Sequence, residues 1–162
     1  MKRLVPVLAV VLLVALGGCS RPASESPEVS AVESAIRSYN ARLADAFEAH
    51  DMNALNTVAT RDQAYTEFYQ MAALGESGVT LESTLTAIAF KSVTFSGEAS
   101  ATAETVETWE YRHVSNDTSE TVRTESGTEY SLRYELVLQE GRWLVDRVTS
   151  LDSTGTSEET TP

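Results

Sequence analysis

The chain has 162 residues and a formal net charge of −12, with 24 acidic against 12 basic side chains. That excess excludes a nucleic-acid partner, whose binding rests on Lys and Arg neutralising phosphates, and an anionic membrane surface would repel the domain too. One cysteine, Cys19, leaves no intramolecular disulfide, so the fold must stand on its apolar core.

Met1-Lys2-Arg3 precedes the apolar run Leu4–Leu16, which ends in Gly17-Gly18-Cys19. A positive start, a short apolar stretch and small residues before a cysteine make a bacterial secretory signal. The run is too short for an ordinary spanning helix. Leu16–Cys19 resembles the lipobox of bacterial lipoproteins, which implies removal of residues 1–18 and acylation of Cys19. The mature protein would then sit extracytoplasmically, lipid-anchored in the cell membrane or the outer membrane, and two or three acyl chains would hold it firmly. Losing residues 1–18 removes Lys2 and Arg3 and no acid, so the remainder is more acidic still. Residues 19–29, rich in Ser, Pro and Glu, have little to bury and are expected to form a disordered tether.

Residues 30–151 are expected to be one domain, and 152–162 a disordered polar tail. Ser30-Ala31-Val32-Glu33 has the form of a capping box. Val32, Ala35, Ile36, Tyr39, Leu43, Ala46 and Phe47 follow at helical spacing as far as His50-Asp51. Met52, Leu55, Val58 and Ala59 suit a short second helix. Thr60-Arg61-Asp62-Gln63, a second capping-box pattern, opens a third whose apolar side is Ala64, Phe68, Met71 and Ala72, with Tyr65 and Tyr69, and which Gly75 is placed to stop.

Beyond Gly78 the spacing changes to alternation. Leu81, Leu85, Ala87, Ala89, Val93 and Phe95 share one parity and Ile88 and Phe90 the other, so this strand is expected to bulge near Phe90–Ser92. After a turn at Ser96-Gly97-Glu98, Ala99–Val114 reads as a strand with Ala101, Ala103, Thr105, Glu107, Trp109, Tyr111 and His113 on one face. Ser115–Glu120 is a polar loop, which accounts for the sequon Asn116-Asp117-Thr118. A further strand starts near Thr121, with a kink at Gly127. It runs into Tyr130–Leu151, where Tyr130, Leu132, Tyr134, Leu136 and Leu138 alternate, Glu140-Gly141 turns, and Trp143, Leu144, Val145 and Val148 return. This hairpin is the expected stability centre, with Trp143 as its core anchor.

Helices followed by long antiparallel strands, ending in Tyr-x-Leu-x-Tyr-x-Leu and Gly141-Arg142-Trp143-Leu144-Val145-Asp146, resemble the nuclear transport factor two-like superfamily, which includes ketosteroid isomerases and SnoaL-like proteins. Trp109 with Tyr130, Tyr134 and Trp143 is similar to the IMS domain of a plastid-division protein. The resemblance implies an α+β fold, with N-terminal helices packed in the concave face of a curved antiparallel sheet, making a cone with a pocket at its open end.

It also brings pocket enzymes into consideration. Ketosteroid isomerases pair a carboxylate base with a tyrosine and a protonated acid, but no motif here matches theirs residue by residue, so no catalytic residue is assigned. The candidate pocket-lining residues are Tyr39, Tyr65, Tyr69, Glu107, Trp109, Tyr111 and His113. In the simpler account of the fourth to seventh of these, Trp109 and Tyr111 pack against the helices while Glu107 and His113 sit at the rim. Two separated histidines without metal-ligand spacing imply no metal. No Gly-x-Ser-x-Gly elbow or phosphate loop occurs, and no cofactor is expected. The sequence therefore favours a lipid-anchored, non-catalytic envelope module holding a protein partner or a small apolar ligand. An isomerase- or cyclase-type enzyme and a structural envelope component are the alternatives.

Overall fold

The computed structural model describes residues 26–152, so the expected signal, Cys19, most of the tether and the tail beyond Asp152 lie outside the described residues. Helix α1 spans Pro27–Ala49, one turn earlier than the Ser30 cap implied. Ser26 is its cap, accepting a hydrogen bond from the Val29 N–H at 3.3 Å, and Pro27 follows where a missing N–H costs nothing. The helix closes in a Schellman arrangement: the Asp51 N–H bonds the Ala46 carbonyl at 3.0 Å and the His50 N–H reaches that of Phe47. His50 holds the left-handed position, at φ 53°, more often given to glycine. Its ring lies 3.1 Å from the Thr80 hydroxyl, which donates to Asn116 Oδ1 at 2.6 Å.

The expected second helix is a 3₁₀ segment, Met52–Thr57, capped by the Asp51 carboxylate on the Asn53 N–H. Helix α2, Arg61–Glu76, begins at Thr60, whose hydroxyl accepts from the Gln63 N–H at 3.4 Å. Only this half of the expected capping box forms. The Gln63 side chain turns inward instead, to Tyr39 and Glu67. Gly75 lies within the helix, and Gly78, at φ 71°, makes the turn into the sheet.

Strands β1 (Val79–Phe95), β2 (Ser100–Ser115), β3 (Thr121–Gln139) and β4 (Arg142–Ser150) form an antiparallel meander in the order β1-β2-β3-β4. The bulge expected near Phe90–Ser92 is present, and a second interrupts Leu85–Ala87. Each extra residue reverses which parity faces the helices. Leu81, Ile88, Phe90 and Val93 therefore pack on the core, while Ala87 and Ala89 are exposed. Gly127, at φ 68°, lies in a register shift opposite Trp109–Tyr111, as its expected kink requires. Glu140 and Gly141 both take positive φ between the paired Gln139 and Arg142, a two-residue turn whose twist matches the strands it joins.

The helices cover one face of this bent sheet. Val32, Ile36, Tyr39, Ala46 and Phe47 of α1 meet Ala101, Ala103, Tyr134, Leu136 and Val145 in one core cluster. Trp143 only borders that cluster, half-buried with its ring 6.0 Å from that of Phe95. The segment before α2 also closes on the sheet: Val145 N–H bonds the Val58 carbonyl at 3.0 Å and Thr60 N–H the Val145 carbonyl at 2.8 Å. This lays Ala59 parallel to the outer side of β4.

Candidate functional site

A cavity of about 280 Å³ opens between the helices and the concave sheet face. Helix α1 contributes Tyr39, Asn40 and Leu43, and α2 contributes Glu67 and Gln70. The sheet adds Glu107, Trp109 and Tyr111 from β2, Tyr130, Leu132 and Tyr134 from β3, and Val148 from β4. Alternation puts the strand residues on one face, and adjacent turns of each helix bring its residues to the same side.

Glu107 is fully buried. Its Oε1 accepts from Asn40 Nδ2 at 3.1 Å, the Thr105 hydroxyl at 3.0 Å and the Tyr134 hydroxyl at 2.8 Å, and its Oε2 accepts from Trp109 Nε1 at 2.9 Å. Four donors converge on a group that, when ionised, only accepts. Glu107 therefore belongs to the core and not, as the simpler sequence account had it, to the rim. A buried polar group without partners is costly, and this shell removes that cost.

Glu67, 7% exposed, forms the second polar centre. Its Oε1 accepts from the Tyr39 hydroxyl at 2.8 Å and Gln63 Nε2 at 2.6 Å, and the same Gln63 nitrogen lies 2.9 Å from the Tyr39 oxygen. Burial pushes the Glu67 carboxyl above its ordinary value, against the opposing pull of the Tyr39 and Gln63 hydrogen bonds. Both bonds fall on Oε1; among the described residues, Oε2 accepts none. Neither glutamate has an Arg, Lys or His partner among the described residues.

The phenols of Tyr39, Tyr111 and Tyr134 are all pushed upward, in each case first by burial. The Glu67 charge adds to this at Tyr39, the Tyr130 hydroxyl at Tyr111 and the Glu107 charge at Tyr134. Tyr39 and Tyr134 serve as donors, to Glu67 and Glu107. Trp109 and Tyr111 stack at 6.1 Å, and Tyr130 meets Tyr111 edge-on at 6.3 Å, giving the cavity an aromatic wall.

Of the seven residues proposed from sequence, Tyr39, Glu107, Trp109 and Tyr111 line this cavity and three do not. His113 lies further along β2, 3.4 Å from Glu125. Tyr69 is 70% exposed on the outer side of α2, edge-on to Phe68. Tyr65 faces a separate outer cleft of about 610 Å³, shared with Met52, Phe68, Met71 and Leu144. Its ring carries the Arg61 guanidinium 5.1 Å from the centroid. The apolar side assigned to α2 was thus rotated: Gln63, Ala64, Glu67 and Met71 are buried, whereas Tyr65, Phe68 and Tyr69 are exposed. Asn40, Gln63 and Glu67 escaped the sequence reading because polar residues on an amphipathic helix are assigned to water. Their signal was spacing, since Gln63 and Glu67 fall one turn apart beside Ala64 and Met71.

This arrangement can hold a guest against an aromatic wall and offer it one free carboxylate oxygen. Among the described residues no group of three His, Cys, Asp or Glu side chains is placed to hold a metal.

Comparison with solved structures finds the same fold in proteins of low identity. The intermembrane-space region of the chloroplast protein ARC6 aligns with a TM-score of 0.62 at 18% identity, over 73% of this chain and 92% of that one. A ketosteroid isomerase-like protein from Erwinia carotovora atroseptica aligns with a TM-score of 0.51 at 16% identity, over 78% and 98%. A protein from Catenulispora acidiphila gives 0.51 at 15%, over 76% and 94%. The helices before a curved four-stranded antiparallel sheet are those of the nuclear transport factor two-like fold. No curated protein matches the sequence. Residues 32–149 match the YvbJ NTF2-like domain, which covers most of the chain, and the protein belongs to that family.

Proposed function

We propose that this chain is an extracytoplasmic lipoprotein, anchored through Cys19, whose domain binds a small ligand in the cone cavity without transforming it. The observation that carries this reading is the hydrogen bonding within the cavity wall, centred on Glu107. Glu107 has four donors, and the Tyr39 and Tyr134 hydroxyls are directed at carboxylates. A proton-transfer catalyst needs a base in reach of substrate and donors aimed at developing charge. Here those groups are engaged with one another, as in a preorganised binding pocket. The lipobox-like Leu16–Cys19 supports export and anchoring. The likeness to an intermembrane-space region is compatible with life outside a cytoplasm. Among the described residues no helix is long and apolar enough to cross a membrane. The exposed Tyr65, Phe68 and Tyr69 would serve a protein partner, should the module also dock one.

One observation favours a second reading, that of an isomerase-type enzyme: Glu67 is buried, has a raised pKa and keeps one oxygen open. A solved structure of this fold is also titled ketosteroid isomerase-like. The two readings separate in heavy water. Native mass spectrometry of the chain isolated from its envelope should show a small molecule bound in stoichiometric amount, and Tyr130→Ala should lose it. Recovered after incubation in D₂O, that molecule should carry no deuterium at carbon. Deuterium at carbon would establish proton transfer and overturn the binding reading, as would a wild-type chain that carries nothing.

A further inference from the structure

The cavity couples three features that point to one class of guest. Its lining includes two glutamates and no Lys, Arg or His. The aromatic residues Trp109, Tyr111 and Tyr130 form its sheet-side wall, and π faces attract cations. Glu67 also lines this space, and its Oε2 accepts no hydrogen bond among the described residues. No buried side-chain oxygen among the described residues lacks a partner, so this oxygen is open to solvent, and a positively charged N–H would give it a charge-assisted hydrogen bond stronger than a neutral donor's. An anion would meet two carboxylates and no cationic side chain.

From this juxtaposition we propose that the ligand is a small organic ammonium ion, its N–H donated to Glu67 Oε2 and its alkyl part held by Leu43, Leu132, Val148 and the aromatic wall. A volume of about 280 Å³ admits an amine of a few carbons. Two lining carboxylates fall short of a metal-binding group, so the cation is organic. Glu107 does not contact the guest; its four donors hold the wall in shape. The overall negative charge draws cations toward the domain and repels anions. The inference rests on the ligand-binding reading and gives it a chemical class.

The chain has two tryptophans, which makes the test direct. Trp109 lines the cavity, whereas Trp143 packs on Phe95 outside its lining, so their indole N–H resonances are a reporter and a control. The full-length chain in neutral detergent micelles is titrated with n-butylammonium chloride at constant ionic strength, and separately with n-butanol. The expected result is a saturable shift of the Trp109 indole signal with n-butylammonium, none with n-butanol, and a stationary Trp143 signal. Glu67→Gln, which keeps an oxygen for Tyr39 and Gln63, should weaken n-butylammonium by about tenfold or more. If n-butanol shifts Trp109 as effectively, the pocket takes apolar guests; the ammonium class is then overturned while the ligand-binding reading stands. If neither probe moves Trp109, the inference is overturned, and native mass spectrometry decides the broader reading separately. Unchanged affinity in folded Glu67→Gln also overturns it. Should that variant not fold, the two wild-type titrations alone decide.

Discussion

Tyr39 and Tyr134 meet edge to face with ring centroids 6.3 Å apart, and each delivers its hydroxyl to a different glutamate. The pair divides the cavity floor into two carboxylate centres with unequal supplies of donors. Glu107 has four, spread over both oxygens, whereas Glu67 has two, both on Oε1.

The same substitution should therefore act differently at the two positions. Glu107→Gln places an amide N–H₂ among converging donors and leaves one unpaired, at a cost of about 1–3 kcal/mol. Glu67→Gln keeps the acceptor that Tyr39 and Gln63 use and removes a desolvated charge, so it should be neutral or stabilising at pH 7. Denaturant unfolding of the two variants checks this, and equal losses would contradict the division.

A pH dependence follows from Glu67. Its carboxyl is raised above the ordinary value of 4.5, chiefly by burial, so the folded state holds this proton more tightly than the unfolded chain does. The resulting stabilisation is fully present below 4.5 and is lost as pH climbs from 4.5 through the raised value. Other carboxylates titrate nearby, so the informative quantity is wild type minus Glu67→Gln across pH 4–8. Wild type should lose ground to the variant as pH rises; a flat difference would show that the group is not perturbed.

The hairpin's stabilising weight lies on its inner face. Leu136 is 1% exposed, and Leu136→Ala should cost about 2–5 kcal/mol. Trp143, expected from sequence to anchor the core, is half-buried against Phe95, and Trp143→Ala should cost less than Leu136→Ala. Paired melting curves measure the order, and a lower Tm for Trp143→Ala would reverse it.

Anchoring is tested at Cys19. Cys19→Ala should release the domain into the soluble extracytoplasmic fraction or leave an uncleaved precursor. A processed protein that still fractionates with membrane would rule out attachment through that cysteine.

The fold was legible where one physical signal acts alone. Ala101 to Trp109 alternate between buried and half-exposed without interruption, because β2 is an inner strand with neighbours on both sides. In β1 the alternation was readable, but the second bulge was not. A bulge at Thr86 left no mark except that Ile88 and Phe90 changed parity. The cavity was half legible for a related reason. Its sheet side includes aromatics at strand spacing, which periodicity exposes, whereas its helix side includes Asn40 and Glu67, the latter hydrogen-bonded to Gln63. Hydrophobic patterning assigns such side chains to solvent, whereas hydrogen bonds of Asn40 to Glu107 and of Gln63 to Tyr39 and Glu67 satisfy them inside.

The strip Val58–Thr60 laid along β4 also bears on self-association. A sheet edge with free N–H and C=O groups is a template for another chain's strand. At Val145 that template is occupied by the molecule's own backbone. The opposite edge, β1, is long enough to recruit a second copy, but its two bulges break the regular spacing such a copy would have to match, and Lys91 sits in one of them. Two copies that meet at high local concentration thus do so across margins that favour staying apart over zipping into a shared sheet.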